Sequence, residues 1–320
     1  MTGDGEAAFT LAVTKAVLTT KVDPTYDDRP EERYHFPRTY LRQVEAAVGD
    51  WIVYYEPRRT TGDVLSKGGR QAYFATARID TVIPDPARSE HFYALVSGYL
   101  EFERAVPFRE NFGTYERALT KDDGSTNKGA FGRAVRNMTD DEYDLILMAG
   151  YSHTLGLAPR QRPIGEVPEE IHSGFGENAQ APYEVDRRIV EQLVSRPFRD
   201  RAFSAAVKTA YADTCAMTGL RIINGGGRSE VQAAHVRPVA DRGPDAVSNG
   251  IALSSTVHWM FDRGLLSVDE NYDLLIAKST APDTLSRLLV PERKLRLPQR
   301  PELCPAQTYL DYHRRQVFKG

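Results

Sequence analysis

From about residue 152 to 182 the chain is rich in Pro and Gly and has no apolar period, so no helix or strand can carry one core through it. A chain of 320 residues interrupted in this way is expected to fold as two bodies joined by a linker. The expected divisions are an N-terminal domain over residues 1–120, a helical segment and linker over 121–182, and a C-terminal domain over 183–320. With 41% hydrophobic and 27% charged residues, each body has enough apolar side chains for a core. No apolar run reaches the roughly 20 residues that span a bilayer, and MTGDGEAAFTLAVTK lacks the basic and apolar regions of a secretory signal. Cys215 and Cys304 are too few for a disulfide framework or a four-cysteine zinc site. A cytoplasmic, reducing location is the expectation, without a membrane partner.

The first part reads as strands: AFTLAVTKAVLTTKV, then DWIVYYEPRR ended by Pro57, then GRQAYFATARIDTVIP ended by Pro84. TYLRQVEAAVGD has helical spacing and stops at Gly49, and HFYALVSGYLEFE fits either a strand or a helix. The absence of a βαβ rhythm predicts a small, curved or barrel-like mixed sheet, hence an α+β chain. Residues 116–150 read as helical, with Thr139 as the N-cap of DDEYDLILMAG. Beyond the linker, YEVDRRIVEQLV predicts a helix, Arg196-Pro197 a turn, and the following dozen residues a second helix. Two short strands are expected around Gly225-Gly226-Gly227, a helix over STVHWMFDRG, and a hairpin turning at Asn271.

The chemistry concentrates in QAAHVRPVADRGPDAVSNGIALSSTVHWMFDRG. His258 and Asp262 stand four residues apart, which on a helix sets both side chains on one face as a two-ligand grip on a cation. His235, at the end of a strand, supplies a neutral imidazole able to activate water near pH 7. An amide at Asn249 can brace the loop between them. One imidazole and one carboxylate are an incomplete shell for Mg²⁺, so water and phosphate oxygens must complete it, and Mn²⁺, Co²⁺ or Ni²⁺ should be accepted.

Ala234-His235-Val236-Arg237-Pro238, Asn249-Gly250, Leu253, His258, Phe261-Asp262 and Gly264, preceded by Cys215-Ala216-Met217-Thr218-Gly219, resemble the restriction-type branch of the HNH (ββα-metal) nucleases over roughly 190–280. The resemblance implies a DNA endonuclease with His235 as general base, Asn249 as the structural asparagine, and His258 and Asp262 as metal ligands. Many such enzymes carry a further ligand just before the base. Ala234 occupies that position here, leaving Glu230 or Gln232 as candidates to complete the grip. No structural zinc is implied.

A net charge of −3 neither requires nor excludes DNA, whose affinity for proteins is dominated by Lys and Arg contacts to phosphate. In the N-terminal part, Arg33 to Leu41, Gly49 to Arg59 and Gly69 to Ala75 resemble the EVE domains of the PUA superfamily, over about 10–120. Relatives of that fold hold a flipped, modified base. A base taken out of the stack loses a few kcal/mol, which aromatic faces and edge hydrogen bonds must offset. Tyr26, Tyr34, His35, Phe36, Trp51, Tyr54 and Tyr55 offer faces, and Asp27 or Asp28 an acceptor for an exocyclic amine. Arg58, Arg59, Lys67 and Arg70, with Arg237 in the nuclease part, are candidates for phosphate contacts.

Together these resemblances imply a modification-dependent, type IV-like restriction endonuclease. Its partner would be double-stranded DNA carrying modified cytosine, such as 5-methylcytosine or 5-hydroxymethylcytosine. One centre per chain and two strands to cut favour a homodimer. The rival readings are an HNH enzyme specific for unmodified sequence, and a reader of modified nucleic acid that does not cleave.

Overall fold

The computed structural model describes residues 14–63, 65–111, 113–156, 193, 195–278 and 282–320. Contacts sort the chain into two units. Within the described residues, one takes in residues 14–97 and Pro107–Ile146, and the other Gly98–Val106, 147–156 and the residues from 193 to 320. The linker expected at 152–182 and the helix expected from 183 fall almost entirely outside the described residues.

The N-terminal sheet is built from β1 (Lys15–Thr19), β2 (Arg33–Pro37), β3 (Trp51–Glu56), β4 (Ala72–Pro84), β5 (His91–Pro107) and β8 (Val135–Met138), in the order β2-β5-β4-β3-β1-β8. The short strands β6 (Arg109–Glu110) and β7 (Gly113–Thr114) pair with each other apart from it. β1 runs parallel to β3, with Ala16 opposite Ile52, while β2–β5, β3–β4 and β1–β8 are antiparallel. HFYALVSGYLEFE therefore resolves as strand. The helix expected before Gly49 is the five-residue α1 (Leu41–Glu45), and Gly49 takes the positive φ that ends the turn after it.

The sheet curls into a half-barrel, and its two edges approach each other. The hydroxyl of Tyr34, on edge strand β2, donates to the carbonyl of Thr19 at 3.2 Å and lies 3.4 Å from that of Ala134, beside the opposite edge. Under this seam Arg136 makes a two-pronged ion pair with Glu116 (2.7 and 2.8 Å), and Tyr73 donates to the same carboxylate at 2.6 Å. Burial of both charges is tolerable because every carboxylate oxygen is hydrogen-bonded.

Residues 116–150 are not continuously helical. Only α2 (Lys128–Phe131) and α3 (Asp140–Gly150) are α-helical there, and Val135–Met138 joins the sheet as an edge strand because Val135 and Met138 are buried against β1. Tertiary pairing overrides the local pattern. Thr139 does cap α3, in a reciprocal box: the Glu142 amide donates to Thr139 Oγ1 at 3.3 Å, and the Thr139 amide to Glu142 Oε2 at 2.9 Å.

In the second unit, α4 (Arg196–Ala210) covers a two-stranded sheet of β9 (Gln232–His235) and β10 (Gly250–Leu253), followed by α5 (Ser255–Asp262). Pro197 is not in a turn ahead of α4 but in its first turn, where its missing amide hydrogen costs nothing. Around Gly225–Gly227 there is a single bridge, Ile223 to Ser229, rather than two strands, since β9 pairs with β10 instead. The hairpin about Asn271 is present as β11 (Leu266–Val268) and β12 (Leu274–Ile276), and α6 (Gln307–Gln316) packs nearby. Phe203, Val207, Ala234, Ile251, Val257 and Phe261 lie in one core that ties α4, the strands and α5 together.

Candidate functional site

His235 ends β9 directly opposite Gly250. A Cβ on Gly250 would lie 2.4 Å from Val207 and 3.1 Å from the Phe203 ring, so only glycine lets α4 approach this closely. The Phe203 ring then stacks on the His235 imidazole, with centroids 3.8 Å apart and planes within 13°. His235 Nε2 is 3.0 Å from Asp245 Oδ1. Asp245 is held in turn by α4: Arg196 contacts both of its oxygens at 3.1 Å, and Arg199 Nε donates to Oδ2 at 2.7 Å. Burial alone would raise the Asp245 carboxyl, but the His235 hydrogen bond and the charges of Arg199 and Arg196 outweigh it and hold it down at about 2. A permanent carboxylate accepts the Nε2 proton, which leaves the lone pair of the neutral ring on Nδ1.

Asn249 is fully buried and braces the connection between β9 and β10. Its Oδ1 accepts the Arg237 amide (2.9 Å), and its Nδ2 donates to the carbonyls of Arg237 (3.0 Å) and Pro244 (2.9 Å). A Cβ at Gly243 would sit 1.8 Å from the Arg237 carbonyl oxygen and 2.9 Å from Asn249 Nδ2. Gly243→Ala should therefore destabilise the second unit by about 2 kcal/mol and depress cleavage, through displacement of this loop. An unchanged melting temperature would contradict that.

Across the cleft, His258 and Asp262 share a face of α5, with Nε2 and Oδ2 3.4 Å apart. His258 Nδ1 is 2.8 Å from Gln232 Oε1, an acceptor that fixes the proton on Nδ1. In the neutral ring, Nε2 then turns its lone pair to a carboxylate oxygen with no hydrogen between them. That arrangement suits a shared cation, and nitrogen with oxygen is the donor set of Mn²⁺, Co²⁺ or Ni²⁺, or of Mg²⁺ with added water. Among the described residues no three His, Cys, Asp or Glu side chains converge, and His258 with Asp262 forms a two-donor pair. Of the two candidates to extend this set, Gln232 orients His258, and Glu230 accepts the Ser255 amide at the start of α5 (2.9 Å). Arg237 lays its guanidinium over the Tyr312 ring and donates to the Asp241 carbonyl at 2.7 Å. His235, His258 and Asp262 line one cleft of about 340 Å³ with Pro238, Val239 and His313.

Residues 215–269, which include His235, Asn249, His258 and Asp262, match the HNH endonuclease family. The second unit carries an HNH endonuclease domain. Among solved structures the whole chain is similar to "Modification dependent TagI restriction endonuclease", at 14% identity and a TM-score of 0.30, covering 95% of this chain and 81% of that one. Among curated proteins no relative matches.

The HNH cleft includes one histidine that the motif does not announce. His313 on α6 stacks on Phe261, and its Nδ1 and Nε2 lie 2.9 Å from Ser267 Oγ and 3.1 Å from the Phe261 carbonyl. Burial lowers its pKa to about 4. The unfolded chain therefore takes up a proton near pH 6.5 that the folded domain refuses until about pH 4. Stability present above pH 6.5 should fall as pH drops through that window, by roughly 3 kcal/mol in all. His313→Gln, which can keep both hydrogen bonds, should remove that part of the slope in denaturant titrations. An unaltered slope would refute the assignment.

A second cavity, of about 600 Å³, opens at the seam of the N-terminal half-barrel. Tyr26, Tyr34, His35, Arg58 and Arg59 line it, as does Asp28 rather than Asp27, which pairs instead with Arg33. Asp28 accepts from the His35 amide (2.8 Å) and Thr20 Oγ1 (3.2 Å), and burial pushes it up to about 6. His35 stacks on Tyr93 at 4.5 Å, with Nε2 3.0 Å from Asp85 Oδ2. Four expected aromatic pocket residues are elsewhere. Phe36, Trp51, Tyr54 and Tyr55 are buried in the sheet, because the curl covers both faces of β2 and β3. Arg70 is tied to Glu56 and lies over Phe74, and Lys67 is exposed on the loop before it, outside the lining. Lys21, Lys128 and Arg133 also line the cavity, and the sequence did not single them out. The last two come from the segment read as helix, and only the closure of the sheet edges brings them here.

Proposed function

We propose that the chain is a modification-dependent restriction endonuclease in which an EVE-like N-terminal unit receives a flipped, modified cytosine and the HNH domain hydrolyses the DNA. The cavity at the half-barrel seam is the observation that carries this reading. It falls in the range of about 300–1,000 Å³ typical of small-ligand sites. It combines the partly exposed Tyr26 ring, an Asp28 carboxyl able to meet an exocyclic amine, and Arg58 and Arg59 for neighbouring phosphates. Stacking contributes about 1–3 kcal/mol per base, enough to offset much of the cost of flipping.

In the cleavage step, His235 Nδ1 takes a proton from the attacking water while Asp245 keeps Nε2 protonated. Phe203 fixes the plane of the ring, and Asn249 holds the loop at its distance from α5. A divalent cation on His258 and Asp262 would neutralise charge at the scissile phosphate. Two-fold pairing of chains would supply a second centre for the other strand. No helix among the described residues is long and apolar enough to cross a membrane.

The test uses the full chain carrying His235→Ala, with duplexes that differ only in cytosine modification, at about 150 mM salt, where nonspecific phosphate binding is weak. Tighter binding of a modified duplex by at least about tenfold is expected, with that preference lost in Tyr26→Ala. Equal affinities for 5-methylcytosine, 5-hydroxymethylcytosine and unmodified duplexes would reject the reader.

A further inference from the structure

The helix that carries the metal ligands also carries a large apolar side chain that the domain leaves in water. Trp259 is 58% exposed, whereas Val257, Met260 and Phe261 of the same helix are buried. At about 100° per residue, Trp259 lies about 60° round the helix from Asp262 and about 160° from Phe261. It therefore borders the strip that presents the metal ligands and faces away from the core. Arg263 follows at the C-cap, exposed and in no ion pair with a described residue. A single exposed apolar residue is ordinary on a protein surface. This one sits one residue from His258, three from Asp262 and four from the exposed Arg263 guanidinium, on the helix that lines the cleft.

We infer that Trp259 is a substrate-contacting residue of the nuclease, packing its indole on the deoxyribose and base edges beside the scissile phosphate while Arg263 meets the neighbouring phosphate. A phosphodiester lying against His258 and Asp262 brings the flanking nucleotides over the exposed face of α5. An apolar side chain entering the groove there gains contact area, and the groove edge gains a register against the catalytic pair. The occupant is DNA because Trp259 and Arg263 stand on and at the end of the helix whose His258 and Asp262 line the HNH cleft. The role does not depend on the base cavity, so it stands or falls separately from modification dependence.

The chain has two tryptophans, and Trp51 is 6% exposed, so quenching by added acrylamide reports on Trp259. In full-length protein carrying His235→Ala, with Mg²⁺, a saturating short duplex should protect the accessible tryptophan from acrylamide. The signal should be absent from His235→Ala/Trp259→Phe. In the chain that retains His235, Trp259→Ala should raise KM for the duplex by about tenfold with a smaller change in kcat, and Trp259→Phe should recover most of the loss. Unchanged acrylamide access with DNA bound, or an unchanged KM in Trp259→Ala, would overturn the inference. So would protection that grows with protein concentration without DNA alongside a doubled mass, since that marks the indole as a contact between copies.

Discussion

His235→Ala is expected to slow DNA cleavage by about three orders of magnitude while leaving the fold and DNA binding intact. The imidazole is the group in the HNH cleft whose free nitrogen can take a proton from water, and its removal leaves the cation grip and the loop brace untouched. The side chain stacks on Phe203, and Asp245 keeps its arginine partners when the imidazole is removed. Single-turnover cleavage at saturating Mn²⁺, with melting followed in parallel, measures the effect. A variant within about tenfold of the parent rate would remove His235 from the role of base.

Asp245→Asn should cost nearly as much, about two to three orders of magnitude, through a change of tautomer and not of charge alone. Oδ2 receives two arginine donors, from Arg196 and Arg199, while Oδ1 receives one from Arg196 and faces His235. An asparagine must keep its oxygen toward the pair of arginines and turn its NH₂ to His235. The ring then accepts at Nε2 and carries its proton on Nδ1, so the lone pair needed for water is lost. Asp245→Ala should be milder, since either tautomer remains open. Nitrogen-resolved NMR of the imidazole, read beside the rates, checks this. Equal losses in both variants with Nε2 still protonated would contradict the tautomer argument.

The C-terminal site was legible because its parts are local. His258 and Asp262 needed only a helix, and His235 and Asn249 only the ends of two adjacent strands. What the sequence did not disclose depends on approach between distant segments. Asp245 looks like any loop acid until Arg196 and Arg199 of α4 close on it, and Phe203 meets His235 only because Gly250 leaves room. The same limit governed the N-terminal unit. Aromatic residues of this unit could be listed, but half-barrel closure, which no two-residue period encodes, decides that Tyr26, Tyr34 and His35 line the cavity while Phe36, Trp51, Tyr54 and Tyr55 do not. Lys128 and Arg133 reach that cavity because Val135–Met138 pairs as an edge strand.

The most direct test is digestion of matched plasmids of one sequence, unmodified or carrying 5-methylcytosine or 5-hydroxymethylcytosine, by the full chain with Mg²⁺ or Mn²⁺. Cutting of at least one modified plasmid, with the unmodified one spared and all cleavage abolished by chelation, is the predicted result. Equal cutting of all three would contradict modification dependence, and no cutting of any under either metal would contradict the nuclease itself.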